Sequence, residues 1–361
     1  MSTIVFTGFP GFLGSELLPR ILAREADSSA LCVVQRQFMA LARQRLAALE
    51  VRDPRLRGRV TLAEGDITDA NLGVADDSLK ARVTSVYHLA ALYDLSVARD
   101  RAMRVNVHGT ERVLHFAAQC PHLARLHYVS TCYVSGRYRG VFHESDLDVG
   151  QRFNNHYEET KYLAEVAVRR MMRAGLPATI YRPSIVVGDS ITGETQKYDG
   201  PYFAIRWLLR QGRVAVMPVV GKASETEFNV VPRDFVVDAI TQLSGLPRSR
   251  GATYALADPQ PLTVDQLLHA IAACTEQTVV RLPLPLGVAK WSIERLPGVF
   301  DLLRIPASAV DYFVHPTRYD TAVAAAALNG SGITCPRFPH YAGNLVRFMR
   351  AHPDIGSAAM A

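Results

Sequence analysis

Short runs of β-branched and apolar residues alternate with longer amphipathic stretches through the first half of this 361-residue chain. That alternation constrains the fold more than any other feature. Thr3–Thr7, Leu31–Gln35, Val60–Ala63, Ser85–Leu89, Leu126–Ser130 and Ala178–Val187 read as strands. Phe12–Arg24, Ala98–Gln119 (interrupted only by Gly109) and Tyr157–Ala174 carry helical periodicity. Strands separated by helices pair in parallel, with helices on both faces of the sheet. Right-handed crossovers then give a doubly wound α/β topology.

After Gly188 the rhythm breaks. Asp189–Gly200 is rich in Thr, Gly and Asp and reads as a loop. Arg213–Val220, Thr253–Ala257 and Val279–Leu284 read as short strands, and Phe235–Leu243, Val264–Cys274 and Ala322–Ala327 as helices. The expected division is a first domain over 1–188, with segments such as 225–255 returning to it, and a smaller mixed lobe over 189–361. An apolar fraction of 48% is enough for a substantial core. A net charge of +6 with no Lys/Arg run gives no nucleic-acid signature. Cys32, Cys120, Cys132, Cys274 and Cys335 have neither metal-ligand nor disulfide-framework spacing, so no metal site is expected and a reduced, cytoplasmic compartment is. The N-terminus enters a strand at once and lacks the pattern of a signal peptide.

Where the first strand should turn into the first helix stands Thr7-Gly8-Phe9-Pro10-Gly11-Phe12-Leu13-Gly14. Gly8 and Gly11 let the backbone turn tightly and approach a pyrophosphate; Gly14 permits close helix–strand packing. The helix N-terminus offers free N–H groups to phosphate. This is the signature of a Rossmann-type dinucleotide site. An NAD-selective site usually places an acidic residue at the end of the second strand. Here Arg36 stands there, with Arg43 and Arg45 downstream. A guanidinium fork suits a 2′-phosphate, so NADP(H) is the expected nucleotide. Asp66, followed by Ile67, is placed to accept from an adenine amino group. Leu89, Ala90 and Ala91 end the fourth strand with small residues beside the cofactor path.

Tyr157 and Lys161 are four apart on one helix face. A phenol has a pKa near 10 and needs a neighbouring cation to work as an acid–base group near neutrality. The third member is expected at the end of the fifth strand, where Thr131 is the first choice and Ser130 the second. Alternation would put those two on opposite faces. Cys132 invites a nucleophile reading, but nothing near it in sequence activates it, and a buried structural role is preferred. Asn106, on the helix before the fifth strand, has three readings: a contact to a structural water, an aid in orienting Lys161, or a solvated helix residue.

Together these residues resemble the extended short-chain dehydrogenase/reductase superfamily, and within it the thioester reductase and fatty acyl-CoA reductase branch with its "male sterility" type domain. The likeness runs from about Ile4 to about Ile240. It is carried by the glycine turn, by Gly65-Asp66-Ile67 with Asn71-Leu72-Gly73, and by His88-Leu89-Ala90-Ala91 and Asn106–Thr110. Val129-Ser130-Thr131, Asn155–Lys161 and Tyr181–Ser190 with Thr192-Gly193-Glu194 complete it. The resemblance implies Thr131, Tyr157 and Lys161 as the catalytic set, and Arg36 with Arg45 as the NADP contact. It implies Pro183, Ser184, Ile185 and Val186 beside the nicotinamide. It also implies reduction of an acyl-CoA or acyl-carrier thioester to the aldehyde or on to the alcohol. Many relatives carry adenylation and carrier domains, and this sequence has neither.

Two other functions compete with that one. The first is an NADP-dependent enzyme acting on a sterol-like or nucleotide-sugar-like carbonyl or alcohol. The second is a non-catalytic NADP-binding regulator, disfavoured because Tyr157 and Lys161 are both present. The apolar stretch 282–305, with Trp291, Leu296, Pro297, Val299, Phe300, Leu302, Leu303 and Ile305 among Lys290, Arg295 and Arg304, has three readings: core of the second lobe, cover of an acyl pocket, or peripheral membrane contact.

Overall fold

The first strand, β1 (Ser2–Thr7), sends Ile4 and Phe6 to one face of the sheet and Val5 to the other, all fully buried. A strand buried on both faces belongs at the centre of a parallel sheet, and β1 is there. The computed structural model describes residues 2–76, 78–295 and 307–356. After β1 come α1 (Gly14–Arg24), β2 (Ser28–Val34), α2 (Met39–Arg52), β3 (Val60–Glu64) and β4 (Val83–His88). Next are α3 (Arg99–Ala102), a π-helical turn over Met103–His108, α4 (Gly109–Ala118), β5 (Arg125–Val129) and β6 (Gly140–Phe142). Then follow α5 (His156–Arg173), β7 (Ala178–Pro183) and β8 (Ile185–Val187). The second half contributes α6 (Tyr202–Leu209), β9 (Val214–Val220), β10 (Glu227–Phe228), β11 (Val230–Pro232), α7 (Arg233–Gly245) and β12 (Thr253–Leu256). It continues with β13 (Leu262–Thr263), α8 (Val264–Thr275), β14 (Thr278–Leu284) and α9 (Leu286–Arg295).

Seven strands form one parallel sheet in the order β3-β2-β1-β4-β5-β7-β12. This is the doubly wound Rossmann order with one strand added, as the alternation predicts. Leu17, Leu18 and Ile21 of α1, Met39 and Leu49 of α2 and Val236 and Ile240 of α7 pack on the Ile4–Phe6 face. Val113 and Leu114 of α4 and Ala164 and Val168 of α5 pack on the Val5 face. Each such Leu or Ile, fully removed from water, stabilises by roughly 1.5–3 kcal/mol. A second core joins Leu208 of α6, Leu267 and Ile271 of α8 and Leu345 of the helix Phe338–Ala351. Beside it β9 and β14 pair in parallel as a separate ribbon, with Val214, Val216, Val280 and Leu282 exposed.

Two segments depart from the sequence expectation. Ala98–Gln119 is helical but contains the π turn, and Gly109 is no breaker: a Cβ there would stand 2.8 Å from Ile67 Cδ1, so glycine permits close packing. Ala178–Val187 is two strands, because at Ser184 the chain turns out of the main sheet. Its hydroxyl donates to Asn229 Oδ1 at 2.8 Å, and β8 pairs with β11 instead. In the stretch 282–305, α9 buries Ala289 and Ile293 against Val220 and Val310 while Val288 and Trp291 are exposed. Leu296, Pro297, Val299, Phe300, Leu302, Leu303, Arg304 and Ile305 lie outside the described residues. Among the described residues no helix is long and apolar enough to cross a membrane.

Helix α5 is tied to the sheet by charge as well as by packing. Glu165 and Arg182 of β7 are 0% and 1% exposed and pair bidentately, Nη2 to Oε1 at 2.7 Å and Nε to Oε2 at 3.1 Å. Ser130 Oγ donates to Oε2 at 2.6 Å and Arg169 Nε to Oε1 at 3.1 Å. Arg182→Met should therefore destabilise the chain by about 3–5 kcal/mol, because it strands a buried carboxylate. Arg182→Met combined with Glu165→Leu should recover much of that loss. Urea titration followed by circular dichroism measures both, and an unchanged midpoint in the single variant would show that the pair does not hold the helix.

Candidate active site

The carboxyl ends of the sheet strands open into one cleft of about 950 Å³, the place where doubly wound sheets bind ligands. Gly8, at the end of β1, has φ +94°. A Cβ on it would come within 2.8 Å of the Ala90 backbone nitrogen. A Cβ on Gly11 would lie 2.7 Å, and on Gly14 2.4 Å, from the Gly8 carbonyl oxygen. The cradle therefore exists only with glycine at these positions. Leu13, at the cap position of α1, has an apolar side chain that makes no cap, so the helix N-terminus is left for an anion. These features fit a bound dinucleotide.

Phe9, Pro10, Phe12 and Leu13 line the same loop, and Leu89, Ala90 and Ala91 face it from the end of β4. Asp66 and Ile67 line the cleft beyond β3. Asp66 already accepts from Gln35 Nε2 at 2.7 Å and from the Thr68 amide and hydroxyl at 2.8 Å each, so its carboxylate is fixed in orientation. Pro183, Ser184, Ile185 and Val186 form the opposite wall, where the chain leaves β7. Of the two arginines expected at the nucleotide, Arg45 is on the cleft wall and Arg36 is not. The Arg36 side chain is 88% exposed and stands 4.0 Å from Glu64.

Two further expected contacts are turned away from the cleft. Thr7 is fully buried beneath it, its hydroxyl 2.8 Å from His88 Nδ1. His88 Nε2 lies 3.0 Å from the Thr110 hydroxyl, which itself donates to the Asn106 carbonyl. That leaves Thr110 as acceptor and puts the ring proton on Nε2. Burial, then the Lys161 charge, pushes His88 down to about 3, so the ring is neutral. Asn106 does not reach Lys161. Its Oδ1 accepts from the Leu92 amide at 2.7 Å and its Nδ2 donates to Thr160 Oγ1 at 3.0 Å, joining the loop after β4 to helix α5.

Thr131, Tyr157 and Lys161 are brought together on one wall. Asn155 caps α5 by accepting from the Glu158 amide at 3.0 Å, which starts the helix just before Tyr157. Tyr157 packs edge-on against Tyr93, ring centroids 4.8 Å apart. Burial raises its phenol above the ordinary value, against the lowering pull of the Thr131 hydroxyl, so it stands as a neutral proton donor. Lys161 Nζ donates to the Val129 carbonyl at 2.8 Å and lies 4.5 Å over the Tyr128 ring. Burial lowers it to about 7 and Glu165 opposes the shift.

The alternation argument for Ser130 and Thr131 does not hold, because β5 ends at Val129 and both residues line the cleft. They differ in their hydrogen bonds. The Ser130 hydroxyl is committed to Glu165, whereas Thr131 Oγ1 accepts from the Tyr133 amide at 3.2 Å, has a long 3.4 Å donor contact to the Pro183 carbonyl and interacts with the Tyr157 phenol. Cys132 lies off the cleft, its Sγ 3.0 Å from the Arg182 carbonyl, and burial pushes its thiol up. The cleft also contains residues that sequence reasoning missed: Tyr93, Tyr133, Lys197, Asp199 and Tyr312. Lys197 pairs with Asp199 at 2.7 Å and stacks 3.6 Å over the Tyr93 ring. Tyr93, Lys197 and Asp199 come from loops and Tyr133 and Tyr312 from single 3-10 turns, too short to show a period; a lysine in an arginine-rich chain is the one available signal.

The male sterility protein family matches residues 6–240 of this chain. A linear gramicidin synthase from Brevibacillus parabrevis is 29% identical over 281 residues, 74% of this chain and 5% of that protein. The L-2-aminoadipate reductase large subunit of Penicillium chrysogenum is 27% identical over 293 residues, 74% of this chain and 20% of that protein. The chain thus spans a small part of these relatives' length. Among solved structures, the terminal R domain from the myxalamid PKS-NRPS biosynthetic pathway has a TM-score of 0.83 at 27% identity, covering 99% of this chain and 92% of that one. A thiolation-reductase di-domain from an archaeal non-ribosomal peptide synthetase shares the fold, with a TM-score of 0.76 at 21% identity, 98% of this chain and 76% of that one. A family match over well more than half the chain, on a fold shared from end to end with a reductase domain, makes this protein a member of the male sterility protein family, an extended short-chain dehydrogenase/reductase that works with a nicotinamide cofactor.

Proposed function

We propose that the protein is an NADPH-dependent reductase of acyl thioesters, carried on CoA or an acyl-carrier protein, that forms the aldehyde. The observation that carries this reading is the Thr131–Tyr157–Lys161 wall, in a cleft continuous with the glycine cradle and with an apolar and aromatic pocket. Leu95, Tyr133, Phe203, Phe228 and Tyr312 line that pocket and suit an acyl chain. The likeness to the myxalamid terminal R domain and to a thiolation-reductase di-domain supports an acyl group delivered by a carrier. For the nucleotide, Arg45 on the wall supplies a guanidinium fork, and the residues that follow β2, Gln35 and Arg36, carry no carboxylate of their own to favour a free 2′-hydroxyl.

The bound cofactor supplies hydride to the substrate carbonyl carbon. Thr131 and Tyr157 would donate hydrogen bonds to the carbonyl oxygen, where negative charge develops. Lys161, fixed by the Val129 carbonyl, would hold the cofactor ribose and keep a positive charge beside the phenol. For a thioester the tetrahedral product expels the thiol and leaves the aldehyde. A neutral Tyr157 is the protonation state that a reduction needs in its proton donor.

Tyr157→Phe should lower kcat by about 10²- to 10⁴-fold while leaving NADPH affinity nearly unchanged; retained turnover would remove Tyr157 from the chemistry. Replacing Arg36 and Arg45 together by Ala should raise KM for NADPH at least about tenfold and leave NADH nearly unaffected, and equal losses with both would assign the cofactor differently. Lys161 binds as a cation, and burial brings its folded pKa down to about 7. The cation predominates below that pH, so kcat/KM for the cofactor should fall as pH rises through about 7. A profile flat between about pH 6 and 9 would contradict this assignment. The substrate class itself is tested by NADPH oxidation against acyl-CoAs, carrier-bound acyl groups and free aldehydes with product identification. Oxidation with aldehydes alone would overturn the thioester reading.

A further inference from the structure

The cleft wall is cationic: Arg45, Arg101, Arg104, Lys161 and Lys197 face Asp66 and Asp199. Three of these cations have structural engagements. Lys161 donates to the Val129 carbonyl, Lys197 pairs with Asp199, and Arg45 is half-buried in the field of Glu194. Arg101 and Arg104 differ. Both are exposed on the cleft wall, and among the described residues neither has an ion-pair or hydrogen-bond partner for its guanidinium.

The segment that carries them is rigidly placed. Arg99 pairs with Glu159 of α5 at 2.6 Å, and Asn106 bonds Thr160 of the same helix at 3.0 Å. Arg101 and Arg104 lie between these two anchors, three residues apart on the side that meets the cleft. The π turn begins between them, a local widening that recurs at functional sites. Two unpaired guanidinium groups held on a fixed backbone are a poor contribution to stability and a good receptor for phosphate. The dinucleotide pyrophosphate has its own cradle at Gly8–Gly14 and Arg45 is assigned to the 2′-phosphate, which leaves this pair for a phosphate of another ligand.

We infer that Arg101 and Arg104 form a phosphate-binding rim for the pantetheine arm of the acyl donor. This rests on the thioester reading of the site. CoA and a carrier protein both present their thioester at the end of a phosphorylated pantetheine, so one rim serves either source, and the thioester is registered over Thr131 and Tyr157 by an anchor at the far end of its arm.

The test compares the wild-type chain with Arg101→Ala/Arg104→Ala and with Arg101→Lys/Arg104→Lys. Each is assayed on matched acyl-CoA and acyl-N-acetylcysteamine thioesters from acetyl to palmitoyl, with NADPH affinity measured by fluorescence. The second thioester lacks the phosphate. The Ala pair should raise KM for acyl-CoA about tenfold with kcat nearly unchanged, leave the N-acetylcysteamine thioester and NADPH affinity within about twofold, and be largely rescued by the Lys pair. Equal effects on both thioesters, or none, overturn the rim while leaving the thioester reading intact. A matching loss of NADPH affinity overturns it in favour of a contact to the dinucleotide phosphates. A wild-type chain that reduces aldehydes but neither thioester overturns the parent reading and the rim with it.

Discussion

A carboxylate with no access to water, Glu165, sets where the reactive wall of this protein stands. Burial alone would raise its pKa, but Arg182, then Arg169 and the Ser130 hydroxyl, outweigh that and hold it below the usual carboxylate range. It stays charged, and a buried charge of this kind is tolerable only with its partners in place. Those partners come from the end of β5, from β7 and from α5 itself. Arg182 also donates to the Asp146 carbonyl at 2.6 Å, and Arg169 to the Ser145 carbonyl at 2.6 Å, which ties in the loop that follows β6. One carboxylate therefore fixes the approach of α5 to the sheet ends. Lys161 lies one turn before Glu165 and Tyr157 one turn before that, so their positions follow from it.

The cofactor side is built on the opposite principle, by removing side chains. The Gly8 backbone and the Leu89–Ala90 backbone approach so closely that no Cβ fits between them, and this contact brings the ends of β1 and β4 to the same wall. Beneath it the Thr7–His88–Thr110 chain satisfies buried polar groups without leaving a charge. A protonated His88 would repel Lys161 in a medium of low dielectric. Its neutrality lets the lysine ammonium survive there at all.

Much of this was legible in the sequence. Strand order follows from apolar runs alternating with amphipathic stretches, and residues such as Ile4, Val5 and Phe6 show both faces buried. The glycine turn was legible because glycine has no substitute at a positive φ beside another backbone. Tyr157 and Lys161 were legible because four residues are one helical turn. The rest turns on contacts that no local pattern encodes. Ser130 and Thr131 read as a strand pair until the strand is seen to end at Val129, and Glu165 chooses between their hydroxyls from 35 residues away. Thr7 reads as a ligand contact because its neighbours are, yet its hydroxyl finds His88 across 81 residues. Tyr93, Lys197 and Asp199 sit on irregular loops, where neither the period of 3.6 nor that of 2 carries information.

The electrostatics of the wall set the resting protonation state of the site. In the chain without ligand, burial keeps Tyr157 protonated and brings Lys161 to a pKa near neutrality. A reduction needs a proton donor at the carbonyl oxygen, and the phenol is one without further adjustment. A second carboxyl reinforces this. Glu158, beside Tyr157 in sequence and fully buried, is raised to about 7 chiefly by burial. Its coulombic influence raises Tyr157 further. Burial and Glu158 thus keep the phenol protonated in the free site, the Thr131 hydroxyl opposes them, and Lys161, one turn away, is the cation that would ease transfer of the proton to a developing oxyanion.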